Sequence, residues 1–286
     1  MKKIIFFCIL ISLLLLITSS GLFNKYEIEG TYVLFTVDTE YDFPPVLNTE
    51  KGLDEGIPIL LSIFEEYNVK ATFLVTGEVA DNRPDILNKI YQKGHEIGSH
   101  SYHHKSIKAQ TKSEIENQIL LSTTAIENAV GVRPVSFRAP GHSACNDLII
   151  LLQNNGYLVE ASAEKINSYP YHPDENDWLK EGNMSIMRVP VSHTPAYFYP
   201  PTTYNRSWIE CFNKAVSSQL EKNPKIVVIG LHPWELVEIE APEKYQSYTR
   251  ACGNYTVQNL TSLLEYLDKQ NVTYVTLEEL YHILND

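Results

Sequence analysis

Short apolar runs that read as buried strands alternate along this chain with stretches whose apolar residues recur every three or four positions. The first run, Tyr32-Val33-Leu34-Phe35-Thr36-Val37, stops abruptly at Asp38-Thr39-Glu40-Tyr41-Asp42. Ile57, Leu60, Leu61 and Phe64 then keep helical spacing, and Ala71-Thr72-Phe73-Leu74-Val75, closed by Gly77, is a second buried strand. Pro84 opens the next helix, where a missing backbone N–H costs nothing, with Ile86, Leu87 and Ile90 inward. A strand over 96–99 follows. Thr111 and Glu114 are spaced as a capping box for a long helix, whose inner stripe is Ile115, Ile119, Ile126 and Ala129.

The second half continues the pattern. Ser136-Phe137-Arg138 reads as a short strand, 148–152 as a helix ended by Asn155-Gly156, and 157–161 as a strand. Residues 164–185 are rich in turn formers and lack a period, so they read as loop before a strand over 186–191. The aromatic, proline-rich piece 195–201 is irregular, either packing a long loop or walling a groove. A helix over 208–220 precedes the strongest strand, Ile226-Val227-Val228-Ile229-Gly230-Leu231, which ends at His232. A helix bearing Leu260, Leu263, Leu264 and Leu267, a strand over 272–275 and a capped helix from Thr276 complete the chain.

This alternation predicts an α/β fold, with parallel strands covered by helices in a barrel or a doubly wound sheet. In such folds chemistry gathers at the C-terminal ends of strands. Asp38, His100, Arg138 and His232 all stand at expected strand ends. Four reactive side chains so placed point to one site.

Composition narrows the picture. A chain of 286 residues, 44% hydrophobic and 20% charged, suits one large domain. A net charge of −12, with no Lys/Arg run beyond the first residues, argues against nucleic acid or an anionic membrane surface as partner. Lys2 and Lys3 precede an uncharged apolar run over 4–17 and then Thr18-Ser19-Ser20-Gly21. That is the pattern of a signal peptide or an N-terminal membrane anchor. Residues 1–25 are therefore read as that segment and 26–286 as a catalytic domain, extracellular or held at the cell surface. Outside the segment, Cys145, Cys211 and Cys252 allow at most one disulfide. Asn-x-Ser/Thr sequons at Asn183, Asn205, Asn254, Asn259 and Asn271 fit an exported protein.

The densest chemistry lies in Gly94-His95-Glu96-Ile97-Gly98-Ser99-His100-Ser101-Tyr102-His103-His104. His100 and His104, four apart, face one way on a helical or tightly turned backbone. Paired neutral imidazoles suit a borderline divalent ion such as zinc, and Ser101 can aim them by a hydrogen bond. No Cys-x-x-Cys appears, so a thiolate site is not expected. His95, His103 and His142 are expected to be structural or to sit on a rim.

Taken together, these segments resemble the polysaccharide deacetylases of the NodB-homology type, carbohydrate esterase family 4, from about residue 32 to residue 232. Lys-Ala-Thr-Phe-Leu-Val-Thr-Gly over 70–77 and the histidine stretch look like the family's central strand and its His-Ser/Thr-x-x-His motif. Asp38 matches the leading aspartate of the first motif, Arg138-Ala139-Pro140-Gly141 resembles the third, and Leu231-His232 the last. The resemblance implies a distorted (β/α) barrel of about seven units. It also implies His100 and His104 as metal ligands, Asp38 as general base, Arg138 as its orienting partner and His232 as general acid. The substrate implied is an N-acetylated polysaccharide or oligosaccharide. Three positions depart from the family pattern: Thr39 follows Asp38 where a second aspartate is usual, Gly141 replaces a common aromatic, and Glu160-Ala161-Ser162 is the nearest thing to the fourth motif.

Thr39 leaves the third ligand to be found. On an extended backbone Glu40 and Asp42 would share the side of Asp38. Glu40, closer to the strand end and one methylene longer than aspartate, is expected to be that ligand, with Asp42 its competitor. The expected protein is an exported hydrolase with a divalent metal, Zn2+ by its ligands, that removes N-acetyl groups from amino sugars of a surface polysaccharide. A same-fold hydrolase of a small amide or cyclic ureide is one alternative, against which the export segment speaks. A non-catalytic carbohydrate-binding relic is the other, but such a module has no use for an acid–base pair.

Overall fold

The computed structural model describes residues 29–162, 169–191 and 225–285, together with 216, 218, 220 and 221. Its strands are β1 (Thr31–Thr39), β2 (Ala71–Val75), β3 (Glu96–Ser99), β4 (Ser136–Phe137), β5 (Val159–Glu160), β6 (Met187–Arg188), β7 (Lys225–Leu231) and β8 (Thr273–Tyr274). They form one sheet in the order β6-β5-β4-β3-β2-β1-β7, with β8 also on β1, and every pairing is parallel. The sheet curls into the distorted, incomplete (β/α) barrel expected from the sequence, as a single domain. Around it lie α1 (Ile57–Glu66), α2 (Gly77–Asn82), α3 (Pro84–Gln92), α4 (Lys112–Val130), α5 (Asn146–Asn154), α6 (Asn254–Asp268) and α7 (Leu277–Asn285).

Side-chain alternation along β1 decides what faces the site. Val33, Phe35 and Val37 pack outward with Leu60 and Phe64 of α1, Leu87 of α3 and Leu264 of α6. Leu34 packs the other way, against Leu74, Ile226 and Val228 and against Leu277 and Leu280 of α7. At roughly 1.5–3 kcal/mol per large apolar side chain fully buried, these two rows fix the register of the strand. Thr36 and Asp38 continue the inner row towards the C-terminal end. Register thus delivers Asp38 to the barrel mouth.

The local signals hold well. Thr111 and Glu114 close a capping box, with Thr111 N–H donating to Glu114 Oε2 at 2.7 Å, and Gly131 ends α4 at φ 74°. Thr276 and Glu279 repeat the device ahead of α7. Three strands are shorter than their apolar runs suggest. β5 and β6 pair only through Val159–Met187 and Glu160–Arg188, because the next carbonyls, of Ala161 and Ser162, accept from Arg138 and Arg188 instead. β8 meets β1 at two residues only. β1, conversely, runs two residues past its apolar stretch, since β2 offers backbone partners at Leu74 and Val75 whatever side chains stand opposite.

The piece 195–201 and most of the helix expected over 208–220 lie outside the described residues, as does the apolar segment 4–17. Among the described residues no helix is long and apolar enough to cross a membrane. Cys145 and Cys252 are both free thiols, and Cys211 is not among the described residues. Asn259 is buried within α6, so its sequon cannot carry a glycan in the folded chain.

Candidate active site

Arg138, leaving β4, ties the base of the site together. Its Nη1 donates to Asp38 Oδ1 at 2.6 Å, Nη2 to Thr36 Oγ1 at 2.7 Å and Nε to the Ala161 carbonyl at 2.8 Å. Both members of the pair are buried. Burial pushes the Asp38 carboxyl up, but Arg138, then His100 and His232, outweigh it and hold it below the usual carboxylate range. Its second oxygen, Oδ2, faces His100 Nε2 at 4.0 Å and His232 Nε2 at 3.9 Å.

The histidine segment is a tight loop rather than a helix. Ser101 and His104 take left-handed φ values of 66° and 50°, and the carbonyls of Ser101 and Tyr102 accept the backbone N–H groups of Gly77 and Glu78 at the start of α2. The bracing expected of Ser101 runs to another partner. Ser101 Oγ and His103 N–H both donate to Gln118 Oε1 of α4, at 3.4 and 3.0 Å. His100 Nδ1 lies 2.9 Å from the Arg138 carbonyl, which can only accept. Nδ1 therefore carries a proton, and Nε2 faces the carboxylates.

β1 ends at Thr39, so the extended geometry expected through Asp42 stops one residue before Glu40. Glu40 nonetheless lands between the histidines, with Oε2 2.7 Å from His104 Nε2 and 3.4 Å from His100 Nε2. One ligand atom from each of the three residues lies within 4.8 Å of the others. Close as these atoms are, Glu40 Oε2 is buried and accepts no well-aligned hydrogen bond among the described residues. Two imidazole nitrogens and a carboxylate oxygen converging on one point fit a shared cation, and two imidazoles with one carboxylate are ligands for a divalent ion. The local charge agrees. Burial lowers the His104 imidazole's proton affinity, yet Glu40 and Asp38 raise it above its ordinary value, so the cluster attracts positive charge. Asp42, the competitor, is occupied elsewhere: it accepts Thr49 Oγ1–H and the N–H groups of Lys51 and Gly52 at 2.7–2.8 Å. Thr39 turns its hydroxyl back to the Val37 carbonyl.

His232 follows β7 and opens the tight turn Pro233–Leu236. Gly52 and Gly56 let that turn press in, since a Cβ on Gly52 would stand 2.6 Å from Trp234 N and one on Gly56 would overlap the Pro233 carbonyl. Trp234 stacks on the imidazole at 4.7 Å between ring centroids. His232 Nδ1 lies 2.8 Å from Glu235 Oε1, while Nε2 faces Asp38 Oδ2 and, at 3.6 Å, Glu40 Oε1. Burial alone would lower the pKa of this ring, but Glu235, then Glu40 and Asp38, raise it to about 9. Glu235 is a site residue that the sequence pattern did not single out. Its only signal is its place three residues after His232.

Asp38, His100, His104 and His232 line a cavity of about 240 Å³, whose apolar wall is Phe43, Pro44 and Trp234 and whose far edge is Gly141 and His142. A second lobe of about 410 Å³ shares Pro44 and His104 with it and is lined by Glu40, Tyr41 and Glu78. His103 pairs with Glu78 at 2.9 Å on that rim. His95 is buried beneath β2, where Nδ1 accepts the Ala71 N–H at 3.3 Å, and burial lowers its pKa to about 4. Glu160, the nearest match to the fourth motif, does not reach the cavity; it pairs with Arg188 at 2.7 Å.

Residues 26–159 match the family model described as polysaccharide deacetylase. The chain is 30% identical over 143 residues to the peptidoglycan-N-acetylglucosamine deacetylase of Bacillus cereus, a match that covers 50% of each chain. It therefore spans about half the length of that curated relative. Its fold superposes on a Mycobacterium smegmatis crystal structure assigned to the polysaccharide deacetylases, with TM-score 0.70, 21% identity and 91% and 92% of the two chains covered. The allantoinase PuuE superposes equally well, with TM-score 0.70 at 14% identity and 91% and 92% coverage. At such identities the structural likenesses speak for the fold alone.

Proposed function

The chain belongs, through residues 26–159, to the polysaccharide deacetylase family, and from that premise we propose that it is an exported, divalent-metal-dependent hydrolase that removes N-acetyl groups from amino sugars of a surface polysaccharide. The observation that carries this reading is the convergence of Glu40, His100 and His104 beside the pairs Asp38–Arg138 and His232–Glu235. Glu40, His100 and His104 would hold the ion, and their two nitrogens and one carboxylate suit zinc. When bound there, such an ion supplies an acidified water and a polarised acyl carbonyl.

The side chains around it divide the remaining work. Arg138 occupies Asp38 Oδ1 and keeps the carboxylate ionised, so Oδ2 accepts the proton of the attacking water. His232 gives the proton on Nε2 to the departing nitrogen, which leaves poorly as an anion. The backbone N–H at Gly141, on the cavity edge, is the donor for the developing oxyanion. Phe43, Pro44 and Trp234 offer the acetyl methyl an apolar wall. The basic start and apolar run of residues 1–25 support an exported or membrane-tethered body. An N-acetylated cell-wall glycan is the substrate class named for the Bacillus cereus relative.

The shared fold of the allantoinase keeps a small cyclic ureide as the second reading. Acetate release from N-acetylglucosamine oligomers and peptidoglycan, with allantoin alongside and chelator added and withdrawn, separates the two. Expected is acetate release that chelator stops and zinc restores. Chelator-insensitive release, or hydrolysis of allantoin alone, would overturn the proposal.

A further inference from the structure

His232 does not stand alone at its strand end. Its Nδ1 is held at 2.8 Å by Glu235 Oε1, from the same turn, and both side chains are buried. A carboxylate at Nδ1 fixes the ring in one orientation and keeps a proton on that nitrogen, so the proton exchanged with a substrate is the one on Nε2. Nε2 points to where the base and Glu40 meet, 3.9 Å from Asp38 Oδ2. The turn is secured independently of the Glu235 side chain: Gly253 N–H donates to the Glu235 backbone carbonyl at 2.9 Å, and Trp234 stacks on the ring.

We infer that Glu235 is the positioning residue for proton delivery, which makes the site depend on it for substrates whose leaving group must be protonated and not for those whose leaving group departs as a stable anion. The inference rests on the hydrolase reading of the site. In the step concerned, the water oxygen bonds to the carbonyl carbon and its proton passes to Asp38. The C–N bond breaks with its electron pair on nitrogen, which takes the proton from His232 Nε2. Carboxylic acid and amine leave, and the proton on Asp38 returns to Nε2. An activated aryl ester breaks a C–O bond in the same way, but the aryloxide carries the electron pair away without a proton.

The test compares N-acetylglucosamine oligomers with 4-nitrophenyl acetate in wild type, Glu235→Ala and Glu235→Gln. Glu235→Ala should lower kcat on the amide roughly 100-fold, the lower part of what a general acid contributes, with KM unchanged and the aryl ester rate within about threefold. Glu235→Gln keeps the shape and one acceptor oxygen, and should recover part of the amide rate. Should the alanine variant fail to fold, the amide-to-ester ratio of the glutamine variant still decides, by falling below that of wild type. Equal losses on both substrates would make Glu235 a support of the turn, and an unchanged amide rate would remove it altogether; either overturns the inference. A wild type that cleaves neither substrate would instead defeat the reading of the site itself.

Discussion

Two buried carboxylate–guanidinium pairs occupy the same sheet, and they differ in where their remaining valences point. At the β5–β6 edge the contacts among the described residues turn inward. Glu160 Oε1 accepts the Ser162 N–H at 3.0 Å and Oε2 accepts Arg188 Nε at 2.7 Å. Arg188 spends its other nitrogens on Tyr171 Oη and the Ser162 carbonyl, and the Trp178 ring lies 4.2 Å from its guanidinium carbon. This closed network straps the loop before β6 onto the sheet. At the barrel mouth Arg138 reaches one oxygen of Asp38, and Glu40 Oε2, beside two imidazoles at a cavity wall, accepts no well-aligned hydrogen bond among the described residues. A satisfied buried charge is architecture; one aimed unsatisfied into a cavity is kept for something that binds there.

If that contrast is sound, the two pairs should fail in different ways. Asp38→Asn should keep its metal and lose roughly 100- to 10,000-fold in turnover, the range for a removed general base, with stability little changed. His232→Ala should follow it, with a smaller loss on activated esters; near-normal steady-state rates in either variant would take that residue out of the mechanism. Arg188→Ala should do the reverse, because it leaves Glu160 buried and unpaired. Urea unfolding should show a loss of about 3–5 kcal/mol, while activity per folded molecule stays close to wild type. Should Arg188→Ala instead be stable and inactive, the strap belongs to the site.

A finer cut separates the two carboxylates of the β1 loop. Glu40→Gln should weaken zinc at least about tenfold in competition titrations, whereas Asp42→Asn should change affinity little, since Asp42 serves the turn at 51–52. The opposite ranking would move the ligand to Asp42. The mildest effect concerns His95. Burial, and then Lys93, lowers its folded pKa to about 4 from 6.5. The unfolded chain therefore takes up a proton first, and the stability present above pH 6.5 is lost as pH falls towards 4. Unfolding curves across that window should be flatter in His95→Gln; an unchanged slope would place the acid sensitivity elsewhere.

What could be read in advance was local. The apolar run of β1, the capping box at Thr111 and the spacing of His100 and His104 each depend on residues a few positions apart. The placement of Glu40 beside the histidines was legible through its length and position, although the extended backbone expected there is absent: β1 ends at Thr39, and Glu40 Oε2 lies 2.7 Å from His104 Nε2. What depended on tertiary partners stayed hidden. Gln118 reaches the histidine loop from the middle of α4, and Glu235 meets His232 only because two glycines let a tight turn close over the strand end. The lengths of β5 and β6 are set by arginines that claim the carbonyls of Ala161 and Ser162.

Glu40, His100 and His104 are the proposed metal centre of this site. Elemental analysis of protein equilibrated with zinc and then desalted tests it most directly, in wild type and in His100→Ala and His104→Ala. Close to one zinc per wild-type chain is expected and almost none in either variant, with circular dichroism unchanged, because these ligands stand at the mouth of the barrel and outside its apolar clusters. Undiminished zinc in both variants, in protein that is folded, would contradict it.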